Sequence, residues 1–146
     1  MKIIQEENFQ KARNLIKSSE QPIVFTSNDD ELNRKILEKE KINVLLINQK
    51  FRKDFQKQRN SGFNQVMAKL AKKKNVIIGI NLDEIINSPA KEKSQILGRI
   101  KQNIFLCKKS KLKMCFISQT YKRDPYDLKA LGLALGMPTW MFVKFN

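Results

Sequence analysis

Two thiols and fourteen carboxylates are the first candidates for nucleophilic, acid–base or metal-binding chemistry, because histidine is absent from all 146 residues. Without histidine there can be no Ser-His or Cys-His triad, no His-ligated metal centre and no His proton shuttle. Asp29, Asp30 and Glu31 cluster where a helix is predicted to begin, as do Asp83 and Glu84, and Asp124 precedes Pro125 in the same way. Acids in a first helical turn complement the helix dipole. Their positions therefore favour capping over general acid/base work or Mg²⁺ binding. Gly79 and Gly98 stand alone, and neither GxGxxG nor GxxxxGK[ST] occurs, so no phosphate loop is encoded. Cys107 falls on the apolar face of a predicted helix and Cys115 inside a predicted strand, as inert core thiols would. Two cysteines supply neither a disulfide framework nor a four-ligand zinc site. The sequence offers no catalytic site.

Cations are the more informative set. Lys and Arg number 29 against 14 Asp and Glu, a net charge of +15. Residues 1–49 carry eight of each sign and cancel, so the whole excess lies in 50–146, with 21 basic and 6 acidic side chains. The segment from Lys50 to Arg59 packs Lys50, Arg52, Lys53, Lys57 and Arg59 against one acid, Asp54. Lys108, Lys109, Lys111, Lys113, Lys122 and Arg123 fall in a stretch without any acid. Such a distribution suits a polyanion, because each neutralised phosphate releases counterions. Solvated helix faces are the plainer explanation. No segment pairs a basic face with a Trp/Phe/Leu face, so a membrane partner is not expected. Phe51 and Phe55, set among these cations, could stack on bases. As i, i+4 aromatics they could equally pin the loop to the body, which is the expectation. Trp140 is expected in the core.

The elements that must position these residues follow from hydrophobic periodicity. Strands are predicted over 1–5, 22–27, 43–48, 76–81, 114–118 and 140–145. Helices are predicted over 8–17, 29–39, 63–74, 89–109 and 125–135, with a short helical turn at 83–86. The long helix is expected to bury Ile96, Ile100, Ile104 or Phe105, and Cys107. Continuous apolar runs such as Val44–Ile47 mark strands buried on both faces. Alternating βα units therefore predict an α/β fold with a parallel sheet of about six strands and right-handed crossovers, in a single domain. A complete eight-stranded barrel typically needs 200 or more residues. Polar residues follow the strands: Ser27, Asn28, Asn48, Asn81, Ser118 and Gln119. At those positions a parallel fold carries its functional end, although caps and turns use the same residues. The basic segments 50–59 and 122–123 also follow strands, which puts them at that same end. Free cysteines and the lack of an export signal point to a cytoplasmic protein, and no apolar run approaches the length of a membrane span.

Three stretches together resemble the ribonuclease P protein component 3 family. The first is Arg59-Asn-Ser-Gly-Phe-Asn64, running into the apolar helix Gln65–Ala71. The second joins Val76-Ile-Ile-Gly79-Ile-Asn81-Leu82 to Arg99-Ile-Lys-Gln-Asn103-Ile-Phe-Leu106-Cys107. The third is Arg123-Asp-Pro125-Tyr-Asp127-Leu128, continuing to Gly136 and Met137. The resemblance spans residues 22–137.

It implies a TIM-like barrel, distantly similar to PHP hydrolases, here reduced or incomplete. Family members carry more residues before the matched part, so the barrel is expected to have edges open to a partner. The implied function is that of a non-catalytic subunit supporting the catalytic RNA that removes the 5′ leader of precursor tRNA. The RNA would hold the Mg²⁺, the protein no cofactor of its own. Partners would be the ribonuclease P RNA, precursor tRNA indirectly, and protein component 2. By position Arg59, Asn64, Arg123 and Asp127 carry over, with Arg59 and Arg123 as RNA contacts and Asp127 orienting a neighbour or its helix. Gln65 stands where the family often has histidine. With the cations above, the candidate RNA-binding set is Lys50, Arg52, Lys53, Lys57, Arg59, Asn64, Lys122 and Arg123. Rival readings are a protein-only metal-dependent hydrolase using Asp83 or Asp127, and a generic basic RNA-binding assembly factor.

Overall fold

In the computed structural model, which describes residues 1–145, five of the six predicted apolar runs become strands, each followed by a helix or helices. The strands are β1 (Lys2–Gln5), β2 (Ile23–Thr26), β3 (Val44–Ile47), β4 (Ile77–Asn81) and β5 (Met114–Ile117). Between and after them lie α1 (Phe9–Ser18), α2 (Asp30–Lys39), α3 (Gln65–Lys74), α4 (Leu82–Asn87), α5 (Ala90–Lys109) and α6 (Pro125–Ala134). Five of the six α-helices start where a side chain captures free N–H groups, while α5 follows Pro89 without such a cap. Asn8 accepts from Lys11, Asp29 from Glu31 and Leu32, Asn64 from Met67, Asn81 from Glu84 and Asp124 from Tyr126. A cap of this kind contributes about 1 kcal/mol. Asn75 ends α3 in the left-handed region, and Gly136, at φ 99°, follows α6.

All five strands are parallel and lie in sequence order, each beside its predecessor. Winding in one direction with right-handed crossovers puts every helix on one side of the sheet. The core confirms this. Ile23, Phe25, Leu45, Ile47, Ile78 and Phe116 pack with the helices, whereas Val24, Val44, Leu46, Cys115 and Ile117 form a separate cluster on the other side. That alternation is the period of two along each strand. The helix-free side is nevertheless fully buried at Val24, Val44 and Cys115, so the sheet curls upon itself as a barrel wall does. Gly79 allows the curl. A Cβ there would lie 3.0 Å from Val44 Cγ1 and 3.3 Å from Leu46 Cδ1.

The expected sixth strand over 140–145 does not form. Thr139–Met141 make a 3₁₀ turn after Pro138, burying Met141 and leaving Trp140 44% exposed, outside the core. Phe142 then makes a single bridge to Met114 at the β5 edge, with Val143 N–H donating to the Met114 carbonyl at 2.9 Å. Phe145 packs against the inner cluster. Cys107 and Cys115 are buried as expected, and burial pushes the Cys115 thiol up to about 12. Ile104, not Phe105, takes the buried position on α5.

Candidate nucleic-acid interface

The long loop between β3 and α3 leaves the C-terminal end of the sheet and carries the densest run of cations. It has no secondary structure of its own, so polar side chains must hold it. Glu84 of α4 accepts the Gln49 N–H at 2.7 Å and the Lys50 N–H at 3.0 Å. Burial pushes its carboxyl above the usual range, and the two N–H donors partly offset that. Arg99 of α5, buried, reaches three points at once: Asp54 Oδ1 at 2.9 Å, the Gln49 carbonyl at 3.1 Å and the Arg52 carbonyl at 2.9 Å. Its hydrogen bond and that from the Asn60 N–H hold the Asp54 carboxyl below its ordinary value. The Ser61 carbonyl accepts from both Gln49 Nε2 and Asn103 Nδ2, at 2.8 and 3.1 Å. Gln102 Nε2 donates to the Arg59 carbonyl and the Ser61 hydroxyl, each at 3.1 Å. Gln49, Ser61, Arg99 and Asn103 are four of the nine buried polar or charged residues among the described residues, so this loop absorbs much of the interior's polar chemistry.

The loop thus braced presents the predicted cations unequally. Lys50, Lys53, Lys57 and Arg59 are exposed. Arg59 lies across α5 at Gly98, where an added Cβ would meet its guanidinium carbon at 2.6 Å. Arg52 points inward instead: it pairs bidentately with Asp30 at 2.8 and 2.9 Å and donates through Nε to the Asn48 carbonyl at 2.7 Å. It tethers the loop to α2, and Gly62, at φ 73°, leaves the room its guanidinium occupies. Asn64 is the N-cap of α3. Phe51 and Phe55 do not pin the loop, contrary to expectation; they are 90% and 62% exposed.

Lys122 and Arg123 sit in the loop after β5 and are exposed, with the Arg123 guanidinium 5.7 Å from the Tyr121 ring centre. Asp83 organises this second loop. Its carboxylate accepts the Ser118 hydroxyl and the Gln119 N–H, and the Ser118 oxygen in turn accepts the Tyr121 N–H. Parallel strands bring the two loops to the same end of the sheet, as their sequence positions imply. The lysines at 108, 109, 111 and 113, by contrast, lie at the opposite end, where α5 finishes and β5 begins. There Lys72 Nζ donates to the Lys111 carbonyl, and terminal lysines offset helix dipoles.

Between the loops, at the mouth of the curled sheet, Asn81 Nδ2 donates to Asn48 Oδ1 at 2.8 Å and Asn48 Nδ2 to Thr26 Oγ1 at 3.1 Å. The cleft they line has a volume of about 140 Å³. Acid–base groups are sparse there, since Asp83 is engaged by the β5 loop. Among the described residues no three His, Cys, Asp or Glu side chains are grouped to hold a metal ion, and no helix is long and apolar enough to cross a membrane. Periodicity overlooked Arg99, Gln102 and Asn103. The signal was present, because Arg99 and Asn103 share the i, i+4 row of α5 with otherwise apolar positions.

Fold and site together define a reduced, barrel-like parallel α/β protein with a braced cationic loop at the C-terminal end of its sheet. No family model matches the chain. It is 28% identical over 139 residues to ribonuclease P protein component 3 of Methanosarcina acetivorans, covering 90% of this chain and 55% of that protein. It is also similar to a chain of the cryo-EM structure of archaeal ribonuclease P with mature tRNA, with a TM-score of 0.78 and 25% identity. That match covers 95% of this chain and 61% of the other. The resemblance carried by the three sequence motifs is borne out as similarity, in sequence to ribonuclease P protein component 3 and in fold to a chain of archaeal ribonuclease P. It spans little more than half the length of the curated relative.

Proposed function

We propose that this chain is a non-catalytic, RNA-binding protein subunit of ribonuclease P, supporting the catalytic RNA in removing the 5′ leader of precursor tRNA. The observation that carries the reading is the cationic loop 50–59, held by Arg99 and Glu84 at the same end of the sheet as the loop bearing Lys122 and Arg123. Cations on a braced loop lose little entropy on meeting phosphate, and each contact displaces counterions. Lys50, Lys53, Lys57, Arg59, Lys122 and Arg123 are the proposed phosphate contacts. Arg52 and Asn64 act indirectly, by shaping the loop and starting α3.

The chemistry rests with the RNA, which holds the Mg²⁺; phosphate neutralisation by the protein lowers the Mg²⁺ needed for its active fold. Protein component 2 is the proposed protein partner, precursor tRNA is met through the RNA, and the site of action is the cytoplasm. Asp83, the carboxylate best placed for a protein-only hydrolase, instead receives two donors from the β5 loop.

Reconstitution tests the reading. Ribonuclease P RNA, with component 2, is mixed with and without this chain, and 5′ cleavage of precursor tRNA is followed at low Mg²⁺. RNA-dependent cleavage stimulated by the chain is expected. No stimulation, with the RNA active at high Mg²⁺, overturns it, as would cleavage by the chain alone. Equal affinity for unrelated structured RNAs would favour a generic RNA-binding factor.

A further inference from the structure

Two of the exposed side chains of the cationic loop are apolar and aromatic. Phe51 stands 90% in solvent and Phe55 62%, on a loop whose backbone is fixed from beneath by Arg99, Glu84 and Asp54. Phe51 has φ 66°, a left-handed backbone that a bulky residue rarely adopts, and nothing in the loop compensates by burying its ring. Strain and exposed apolar area are thus both maintained at a single position. Lys50 Nζ lies 5.0 Å from the Phe51 ring centre, and Lys53 and Lys57 are exposed on the same segment. Asp54, its only acid, is engaged by Arg99 and so does not repel a polyanion freely. Flat apolar rings set among unpaired cations match a partner that is itself a polyanion with flat apolar faces.

From this we infer that Phe51 and Phe55 form a stacking platform for unpaired nucleobases, whose phosphates run over Lys50, Lys53 and Lys57. The inference rests on the RNA-binding reading and deepens it: this loop takes a single-stranded or bulged segment, not a continuous duplex. Bases paired in an A-form helix keep their faces stacked on one another and unavailable to a side chain. An unpaired base offers a face to an aromatic ring irrespective of its identity, so the contact is sequence-tolerant.

The test compares two probes of equal phosphate count, a hairpin RNA with an unpaired loop and a fully paired RNA duplex. Wild type is expected to prefer the hairpin. Phe51→Ala/Phe55→Ala should lose about 5- to 150-fold of hairpin affinity per stacked base. Its salt slope and duplex affinity should stay unchanged, since no cation is removed. Phe51→Leu/Phe55→Leu keeps apolar volume without a ring and should not restore binding. A Phe51→Trp reporter in a Trp140→Phe background should be quenched by the hairpin and not by the duplex. Urea denaturation confirms that each variant is folded. Equal wild-type affinity for both probes, full rescue by leucine, or an unquenched reporter that still binds the hairpin would each overturn the platform and leave the RNA reading standing. Failure of wild type to bind either RNA would overturn that reading as well, and leave the exposed rings to a protein partner.

Discussion

Asp83 and Glu84 are neighbours in the chain yet hold different loops: Glu84 accepts the Gln49 and Lys50 N–H groups after β3, and Asp83 accepts the Ser118 hydroxyl and the Gln119 N–H after β5. Both belong to the first turn of α4, directly after β4, which lies between those two strands. A pair of acids that suggests metal or acid–base chemistry in the sequence thus acts as a clamp between two basic loops.

The clamp makes stability depend on pH in a defined direction. Burial raises the Glu84 pKa above 4.5, so the folded state holds its proton more tightly than the unfolded chain. Its contribution is therefore most favourable below the unfolded value and declines as pH rises through the folded one. Asp54 is opposite: its pKa is lowered from 3.8, so its stabilisation is present above that value and is lost as pH falls through the folded one. Urea midpoints followed across both windows should show Glu84→Gln removing the decline above 4.5, and Asp54→Asn removing the loss below 3.8. Unchanged profiles in both variants would mean the carboxylates do not sense the fold this way.

Arg99 is the single side chain whose loss should release the loop. Arg99→Ala removes the guanidinium donor from the buried Gln49 carbonyl, from the part-buried Arg52 carbonyl and from Asp54, which keeps only the Asn60 N–H. The cost should be about 3 kcal/mol, since the buried Gln49 carbonyl loses its donor and the charge-assisted hydrogen bond to Asp54 is lost with it. Limited proteolysis should then cut after Lys53 or Lys57 before global unfolding. A midpoint unchanged from wild type would remove Arg99 as the brace.

Much of this was legible in the sequence and some was not, for physical reasons. Strands buried on both faces read as the apolar runs 44–47 and 76–80, and caps such as Asp29 and Asp124 marked helix starts to within a residue or two. The run 140–145 misled because Met141, Phe142 and Phe145 are apolar for different reasons. Met141 serves the helix-side core and Phe145 the inner cluster, so the chain must turn between them. At the site, charge density located the loop but not the fate of each cation. Arg52 and Lys53 are adjacent in sequence, yet Arg52 finds Asp30 across 22 residues while Lys53 faces solvent. Partners that distant lie beyond any local pattern.

That difference separates the cations in solution. Arg59→Ala and Arg123→Ala should each weaken RNA binding and reduce the slope of log affinity against log salt by about one, as expected for one phosphate contact apiece. Arg52→Ala should leave the slope within error and cost about 2 kcal/mol of stability, through lost charge-assisted hydrogen bonds to Asp30 and Asn48. Unchanged slopes for Arg59 and Arg123 would remove both from the interface.

Gly98 offers a substitution with two opposed effects. It lies inside the 20-residue helix α5, where glycine is about 0.5–1 kcal/mol worse than alanine, so Gly98→Ala should raise stability by that amount. The new methyl would stand 2.5–2.6 Å from the Arg59 guanidinium, and that flexible end must move away. Displacing Arg59 keeps its charge but abolishes its resting place on α5. RNA affinity should therefore fall modestly with the salt slope preserved, unlike Arg59→Ala, which lowers both. Parallel urea and salt titrations read the two effects separately. A more stable variant with undiminished affinity would show that Arg59 meets phosphate from a position other than the one Gly98 provides.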